Sequence, residues 1–363
     1  SACARWLGTV LIAAVALSLG LLLNVPEPPE RPSANLANLS PALQQWHAGG
    51  RILEVLPGYR VFTLTADRPN WSGDPNGAEA RQLCLIHGFP SSSFDYRKAL
   101  PRLLAGFHRV VMFDHVGFGF SGQLPANYSY SIQDHADVTL AVWKALGVRR
   151  CHAVAHDMGD SVLAELLTRH SRGLLPDRFQ HGFFQSVTFT NGGMIIGLAS
   201  LRLSQRILRL PLLGPALAWL SASGLQPPGF VNQQLRSIWG PGADEAQRNA
   251  DITDLLDLNR EFGAAWNLHR SIRYLDDRFL FEQRWLDSLG SLRLPCRLLW
   301  GDSDAVSPQA IPRTLHSRYL PQCRLHFLTG VGHFLMMEAP ISWADFLISV
   351  AKETEEGGGG AKV

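Results

Sequence analysis

Short, nearly continuous apolar runs alternate with longer amphipathic stretches along most of the chain. Such runs are typical of strands buried on both faces of a parallel sheet. The clearest amphipathic stretch, Ile132 to Leu146, carries its apolar residues on one helical face and ends at Gly147. The alternation predicts a doubly wound, mostly parallel α/β sheet. The predicted parallel strands lie at 83–88, 109–117, 151–157, 187–192, 296–302 and 324–330.

Two segments depart from this alternation. Ile52 to Leu56 and Tyr59 to Ala66 flank Pro57-Gly58, a pattern that predicts a β-hairpin. Residues 194–294 hold no convincing strand but many Leu, Arg and Trp residues with Pro and Gly breaks. We therefore predict a helical lid inserted after the sixth strand in chain order, at 187–192, when the two hairpin strands are counted. The core then falls into two parts, 51–193 and 295–353, and the charged, Gly-rich tail 354–363 is predicted to be disordered.

The N-terminal segment is apolar enough to span a membrane. Residues 6–23 carry no charge, and a run of this length suits a bilayer-spanning helix. We predict a transmembrane anchor over 1–25, then a Pro-rich linker and a short helical segment over 26–50. Arg5 precedes the run, which favours a cytoplasmic N-terminus. A cleaved signal peptide is the main alternative, although residues 22–25 offer no small-x-small cleavage site; a buried core helix is a third.

Composition narrows the class of protein. The 363 residues are 46% hydrophobic and 18% charged, as in one large globular domain or a domain with an insertion. The 33 basic residues are dispersed and are matched by 31 acidic ones, so no nucleic-acid partner is expected. No internal repeat is evident, which argues against solenoids and propellers. We expect no metal and no cofactor, and the sequence assigns no protein partner.

Sequons and cysteines bear on the cellular compartment. Asn-x-Ser sequons at Asn38, Asn70 and Asn127 lie in predicted loops and favour a lumenal catalytic domain. The cysteines beyond the anchor are too few for a disulfide scaffold, and their spacing offers no zinc site. We expect buried free thiols. A bridge between Cys296 and Cys323 is left open because their strands could be neighbours. The four cysteines are Cys84, Cys151, Cys296 and Cys323.

The stretch 155-AHDMG-159 predicts a sharp turn between a strand and a helix. Small residues on both sides of Asp157 allow the helix to pack back on the strand, as in the elbow that presents the nucleophile of many hydrolases. At the start of the following helix, backbone N–H groups and the helix dipole favour an ionised carboxylate. Asp157 is therefore a candidate nucleophile. Asp is also a favoured N-cap residue, so a purely structural role is the alternative.

Candidate partners for Asp157 follow other predicted strands. His333 comes directly after the last strand, and Asp304 follows the strand before it, with Asp302 as the rival acid. The order nucleophile, acid, histidine is that of the α/β-hydrolase fold. After the strand at 83–88, the backbone N–H of Phe89 could join that of Met158 to form an oxyanion hole.

These motifs together resemble a known family. The segments 87-HGFP-90, 114-DHVGFGFS-121, AHDMGD, WGDSD and GHF are similar to those of the epoxide hydrolase and haloalkane dehalogenase branch of the α/β-hydrolases. Within it, 39-LSPALQQWHAGG-50 and 190-TNGG-193 resemble the membrane-associated mesoderm-specific transcript group. The resemblance implies an α/β-hydrolase core with a helical lid over 194–294, Asp157 as nucleophile, and location in the endoplasmic reticulum membrane.

The expected reaction is hydrolysis of an apolar or lipid-like molecule. Asp157 would form an ester with the substrate, and His333, oriented by Asp304, would activate the water that cleaves it. Lipid acyl transfer and non-catalytic binding on the same fold are the alternatives.

The chain departs from the family at two positions. Epoxide hydrolases use two lid tyrosines to protonate the opening ring, whereas this insertion contains only Tyr274. Tyr274 is the candidate lid acid, or else a tyrosine on a helix surface. Met158 stands where these relatives usually have an aromatic residue. Neither an epoxide nor a haloalkane substrate is therefore fully supported.

Overall fold

The computed structural model describes residues 20, 25–26, 34–77, 79–122, 128–226 and 229–358. At its centre is an eight-stranded sheet of order β1-β2-β4-β3-β5-β6-β7-β8. The strands are β1 (Arg51–Leu56), β2 (Tyr59–Asp67), β3 (Gln82–Ile86), β4 (Arg109–Phe113), β5 (Cys151–His156), β6 (Phe184–Thr190), β7 (Cys296–Gly301) and β8 (Arg324–Leu328).

The sheet has an antiparallel edge and a parallel body. β1 and β2 form the predicted hairpin, with Arg51 opposite Thr63 and a turn at Gly58, whose φ is +80°. β2 also pairs antiparallel with β4, and every other pairing is parallel. β3, β4 and β5 are buried along their whole length, which explains their continuous apolar sequences. The predicted mostly parallel α/β sheet is confirmed.

Helices cover both faces of the sheet. On one face, α3 (Ile132–Ala145) and α4 (Met158–Ser171) bury Trp143 and Leu163 against β5 and β6. On the other, α2 (Leu100–Gly106) and the C-terminal helix α13 (Pro340–Gly358) bury Leu103 and Trp343. The remaining core helices are α1 (Pro41–Gly49), α11 (Ala310–Thr314) and α12 (Leu335–Glu338).

A helical insertion separates β6 from β7, as the absence of strand patterns predicts. It lies above the carboxyl ends of the parallel strands, because residues near its middle contact the loop after β8: Ile238 accepts a hydrogen bond from the His333 N–H at 2.8 Å. Its helices are α5 (Leu203–Leu208), α6 (Leu213–Ala222), α7 (Phe230–Arg236), α8 (Glu245–Glu261), α9 (Leu268–Ser271) and α10 (Tyr274–Gly290).

Two expectations need correction. Cys296 and Cys323 form a disulfide, with their Cα atoms 4.7 Å apart, so the expectation of free thiols is wrong for this pair. The bridge forms because β7 and β8 pair in parallel with Arg297 opposite Arg324, which brings the two preceding cysteines together. Cys84 and Cys151 are buried free thiols, as expected.

The C-terminal helix is longer than the sequence pattern suggests. α13 continues through Gly358, so disorder is the wrong prediction for residues 354–358. Ala, Lys and Glu favour a helix here until the glycines begin. Glu353 pairs with Arg297 at 2.7 Å, and Glu355 accepts a hydrogen bond from the Nε–H of Arg81 at 2.7 Å. These contacts fix the end of the helix against the sheet.

The predicted anchor over 1–25 and most of the Pro-rich linker lie outside the described residues. In the part of the chain that the structure describes, no helix is both long and apolar enough to cross a membrane. The predicted short helical segment before β1 is present as α1. Of the sequon asparagines, Asn38 and Asn70 are exposed, and Asn127 lies outside the described residues.

Candidate active site

A strained turn between β5 and α4 presents Asp157. Its backbone has φ 52° and ψ −111°, a region that non-glycine residues rarely occupy. Small neighbours make this turn possible. A Cβ on Gly159 would lie 2.5 Å from the Ile86 carbonyl oxygen, and one on Gly88 would lie 2.6 Å from the Cβ of Asp157. The Asp157 carboxylate makes no capping hydrogen bond to α4, so the helix-cap interpretation has no support.

The Asp157 carboxylate is buried but has polar neighbours. The backbone N–H of Phe89 donates to Oδ2 at 2.9 Å. Arg278 of α10 places Nη2 3.7 Å from Oδ1 and donates to the Asp157 carbonyl oxygen at 2.8 Å. Both side chains are only 3% exposed. These contacts offset the cost of burying the carboxylate and leave it on the floor of a cleft.

His333 and Asp304 form a buried pair beside this floor. His333 Nδ1 lies 2.8 Å from Asp304 Oδ2; an ionised carboxylate can only accept, so Nδ1 donates and Nε2 is left as the basic nitrogen. Asp304 Oδ1 accepts the N–H groups of Val306 at 2.7 Å and Ser307 at 3.0 Å. The rival acid, Asp302, instead accepts the Gly330 N–H at 2.8 Å. Of the two candidate acids, Asp304 is therefore the one that orients the histidine.

Burial and charge act in opposite directions on His333. Burial disfavours the protonated ring, but the negative charge of Asp304, its hydrogen bond, and the charge of Asp157 outweigh that effect. The net result is a pKa of His333 above its usual value of 6.5. A histidine of this kind can hold a proton taken from water during a reaction.

Asn191 holds the loop that carries His333, and this role was not predicted from the sequence. Its Nδ2 donates to the carbonyl oxygens of Gly332 at 2.8 Å and His333 at 3.2 Å, while its Oδ1 accepts the Gly301 N–H at 2.9 Å. His156 Nε2 donates to the same His333 carbonyl oxygen at 2.8 Å. The positive φ of Asn191, 51°, is the local feature that marks 190-TNGG-193 as more than a strand end.

Asp114 and His87 hold the scaffold around the site. Asp114 accepts the backbone N–H groups of Ser93 at 2.7 Å and Phe120 at 2.8 Å, and burial raises its pKa to about 6. His87 Nε2 accepts the His115 N–H at 2.8 Å, and burial lowers its pKa to about 3, so the ring is neutral. These contacts hold the loops after β3 and β4 in place.

A cleft between the sheet and the insertion contains Asp157 and His333. It encloses about 970 Å³, part of it continuous with solvent. Phe89 lines the floor, and the insertion supplies walls that are largely apolar, with a few polar side chains. The apolar wall residues include Leu208, Leu217, Leu235, Ile238, Leu255 and Leu268. Such a lining suits an apolar ligand held by few polar contacts.

Tyr274, the candidate lid acid, is not among the residues that line this cleft. Its ring packs against Phe89, with centroids 5.7 Å apart, and the Arg278 guanidinium lies 4.7 Å from its centroid. At 1% exposure, the helix-surface interpretation is wrong. Burial, reinforced by the charge of Asp157, raises the pKa of Tyr274 well above its usual value. Tyr274 thus lies near Asp157 but is not part of the cleft lining.

Met158 and Arg278 complete the surroundings of Asp157. Met158 begins α4 and is fully buried in the apolar core. Arg278 donates through Nε to Ser161 Oγ at 2.9 Å, in addition to its contacts with Asp157. Sequence reasoning missed Arg278 because an arginine in an amphipathic helix normally faces solvent. Among the described residues, no group of three or more His, Cys, Asp or Glu side chains is arranged to hold a metal ion.

Comparison with known proteins gives consistent matches. A model of the Alpha/beta hydrolase family matches residues 85–346. The chain is 32% identical over 315 residues to the putative hydrolase LipZ of Mycobacterium tuberculosis, covering 86% of this chain and 98% of the relative. It is 29% identical over 344 residues to the mesoderm-specific transcript homolog protein of Homo sapiens, covering 93% of each. Epoxide hydrolase B of Mycobacterium tuberculosis is 29% identical over 165 residues, or 44% of this chain and 45% of the relative.

Solved structures share the same architecture. A haloalkane dehalogenase from Bradyrhizobium elkanii, the DbeA-M1 loop variant, superposes with a TM-score of 0.63 over 86% of this chain and 99% of that chain. The two are 18% identical, which shows a shared fold and leaves the substrate open.

Proposed function

The chain belongs to the α/β-hydrolase family, and from that premise we propose that it hydrolyses an apolar or lipid-like electrophile through a covalent ester of Asp157. One observation carries the proposal. The strained turn holds the Asp157 carboxylate on the floor of the same cleft that His333 lines, with Asp304 Oδ2 2.8 Å from His333 Nδ1. A carboxylate nucleophile beside an oriented histidine is suited to two-step hydrolysis.

In the first step, an Asp157 oxygen attacks the electrophilic carbon. The new carbon–oxygen bond forms as the bond to the leaving group breaks, and the electron pair departs with that group. An epoxide oxygen leaves as an alkoxide, which takes a proton from water or an acid, and a halide leaves as the free anion. The Phe89 N–H and the Arg278 guanidinium orient the attacking carboxylate.

In the second step, water cleaves the ester. His333 Nε2 takes a proton from water, and the hydroxide adds to the ester carbonyl carbon of Asp157. The backbone N–H groups of Phe89 and Met158 stabilise the resulting oxyanion. Collapse of this intermediate expels the alkoxide, which takes the proton held by His333 and leaves as the alcohol. The Asp157 carboxyl group then loses its proton to solvent, and until the proton transfer Asp304 balances the charge on His333.

The helical insertion acts as a lid in this proposal. It supplies the apolar walls of the cleft and closes one side of the space above Asp157. Exclusion of water from that space would strengthen the interactions of the carboxylate and guide apolar substrates to it. Support for an epoxide comes from the named relative, epoxide hydrolase B, whereas Tyr274 is not among the residues that line the cleft.

Isotope labelling tests the covalent route. The full chain is first screened with a long-chain terminal epoxide, a long-chain bromoalkane and a nitrophenyl ester. A single turnover of any substrate that reacts is then run in water enriched in heavy oxygen. Label should enter the Asp157 carboxylate first and reach product only in later turnovers. Label that appears in the first product molecules would mean direct attack by water and would overturn the proposal.

We further propose that the protein is anchored in the endoplasmic reticulum membrane with its catalytic domain in the lumen. The uncharged run over 6–23 supports an anchor. The Cys296–Cys323 disulfide and the exposed Asn38 and Asn70 sequons support an oxidising, glycosylating compartment. The insertion also exposes leucines that could face a bilayer: Leu203, Leu210, Leu212, Leu213 and Leu225.

Cell fractionation tests this placement. The full chain should resist extraction at alkaline pH, and its gel mobility should shift on glycosidase treatment. Asn38→Gln and Asn70→Gln should each remove part of that shift. Extraction into the soluble fraction, or an unchanged mobility, would contradict the anchor or the lumenal orientation respectively.

A further inference from the structure

One charged side chain of the cleft wall makes no hydrogen bond within the described structure. Arg202 directly precedes α5 and lines the cleft together with Asp157 and His333. Its Nε and Nη2 atoms are buried and have no hydrogen-bond partner among the described residues. A guanidinium stays charged in proteins, and leaving these two nitrogen atoms buried and unpaired is unfavourable even though the rest of the residue is half-buried. The arrangement therefore calls for an acceptor from outside the chain.

Neighbouring carboxylates do not fill this role. Asp304 attracts Arg202 electrostatically, but its two oxygens already accept from Val306, Ser307 and His333. The Asp157 carboxylate accepts a hydrogen bond from the Phe89 N–H instead. Neither makes a hydrogen bond to the Arg202 guanidinium.

The other arginine of the cleft wall differs from Arg202 in this respect. Arg260 pairs with Asp257 at 2.6 Å and is 42% exposed. Its charge is therefore compensated within its own helix. Among the described residues, Arg202 thus presents the unpaired positive charge in a largely apolar wall.

We propose that Arg202 binds an anionic group of the substrate, and that this group is a carboxylate on an apolar chain. This inference rests on the proposed hydrolysis and specifies its substrate class. The planar guanidinium fork matches a carboxylate in two parallel hydrogen bonds. A single cation compensates a single negative charge. A phosphate dianion would leave a second charge close to Asp157 and Asp304, which disfavours it. The apolar wall, including Leu208 and Leu217, receives the remainder of the chain.

Binding of unreactive probes tests the inference without any chemistry. Octanoate, octanol and octyl phosphate share one apolar chain and differ in head group. Titration calorimetry on the full chain should show octanoate binding about 10- to 100-fold more tightly than octanol, the range expected of a hydrogen-bonded charge. Octyl phosphate should bind more weakly than octanoate. Equal affinities for octanoate and octanol, or tighter binding of octyl phosphate, would overturn the carboxylate assignment.

Three variants assign the preference to Arg202. Arg202→Met should reduce the octanoate-to-octanol ratio to near one, and Arg202→Lys should keep part of it because the charge remains without the fork. Arg206→Met is the matched control, since Arg206 lies one helical turn further on, is exposed and does not line the cleft. It should keep the wild-type ratio. A ratio that survives Arg202→Met would overturn the inference; if that variant does not fold, a full wild-type ratio in Arg202→Lys would do so.

The outcomes distinguish a failure of the anion site from a failure of the proposed hydrolytic mechanism. If no Asp157 ester forms but octanoate is still preferred through Arg202, the hydrolytic mechanism is wrong and the anion site stands. If the ester forms but Arg202→Met slows neutral and anionic substrates by the same factor, the proposed mechanism stands. Arg202 would then act through the Asp304–His333 pair, and the anion site would be wrong.

Discussion

The floor and the walls of the cleft are built from different parts of the chain and with different polar character. On the floor, at the ends of the parallel strands, Asp157, Asp304 and His333 all have hydrogen-bond partners within the protein. On the walls, the insertion presents mostly apolar side chains, and Arg202 has buried nitrogen atoms that are unpaired among the described residues. Side chains whose hydrogen bonds are made within the protein are held in place, which suits the residues that carry out chemistry. A side chain with unpaired hydrogen-bond donors is available to bind and select a ligand.

Arg278 connects the two regions. It belongs to α10, in the insertion, yet it donates to the Asp157 carbonyl oxygen and to Ser161 Oγ on the floor. The strained backbone at Asp157 is therefore held partly by a residue that lies about 120 positions later in the sequence. The insertion therefore holds the turn at Asp157 in addition to covering it.

Replacement of Asp157, the proposed nucleophile, should give the largest effect on the floor. Asp157→Asn keeps an acceptor for the Phe89 N–H but removes the attacking oxygen. We expect turnover to fall by at least about 10⁴-fold, because the residues of a covalent site act as a unit. Steady-state kinetics on the reactive substrate provide the measurement. Asp160→Asn, three residues further along α4, is the matched control. The buried Asp160 accepts the Thr190 N–H, a bond that Asn also provides. Comparable loss in both variants would contradict a special role for Asp157.

Removal of the acid that orients His333 should give the next largest effect. We expect Asp304→Asn to lower kcat by about 10³-fold. The pKa of His333 is raised chiefly by Asp304 against the effect of burial, so the wild-type rate should fall as the pH drops through a value above 6.5. With that charge removed, burial lowers the pKa of His333, and the fall in rate on the acid side of the pH–rate profile should move to lower pH. Asp302→Asn should change neither kcat nor the position of that fall. If the fall in rate stays at the same pH in Asp304→Asn, His333 is excluded as the base.

Loss of the connection between wall and floor should affect stability as well as rate. Arg278→Met leaves the Asp157 carbonyl oxygen and Ser161 Oγ without their donor. Because removing one partner from a buried ionic contact is strongly unfavourable, we expect the free energy of unfolding to fall by about 3 kcal/mol. Urea denaturation measures this. The exposed Arg273, just before the same helix, provides the control variant Arg273→Met, which should unfold like the wild type. Equal stability of the two variants would mean that the insertion does not hold the turn.

Removal of the buried tyrosine hydroxyl should give the smallest effect. Tyr274→Phe keeps the ring against Phe89. Because Tyr274 does not line the cleft and has a raised pKa, it is a poor acid for the leaving group. We expect turnover to change by less than about threefold, or ~0.6 kcal/mol. Epoxide and ester substrates should respond alike. A large loss confined to the epoxide would restore Tyr274 as the lid acid.

Most of the fold could be predicted because local patterns determine it. The buried strands have continuous apolar sequences, and the hairpin forms around Pro57-Gly58 as its pattern predicts. The insertion could be predicted to be helical. How its helices pack could not be predicted, because that packing depends on long-range contacts. The disulfide depended on the register of β7 and β8, which the sequence left open.

The site could be predicted only where a motif follows a strand. Asp157, Asp304, His333 and Phe89 all stand at strand ends, so their approach follows from the order of the strands. Arg202 and Arg278 could not be found this way. Their roles depend on which face of a helix or loop meets the floor, and charged residues in helices are usually exposed. The helix-surface alternative for Tyr274 was wrong for the same reason, since the burial of this residue depends on how α10 packs.

Trapping the covalent ester tests the central claim most directly. His333→Gln should still form the ester at Asp157 but should fail to hydrolyse it. The variant is incubated with the reactive substrate, and intact-mass spectrometry is followed by peptide mapping. We predict a mass increase equal to the transferred group, located on Asp157 and absent from Asp157→Asn. An unmodified mass while the wild type turns over, or an adduct on another residue, would contradict a carboxylate nucleophile at this site.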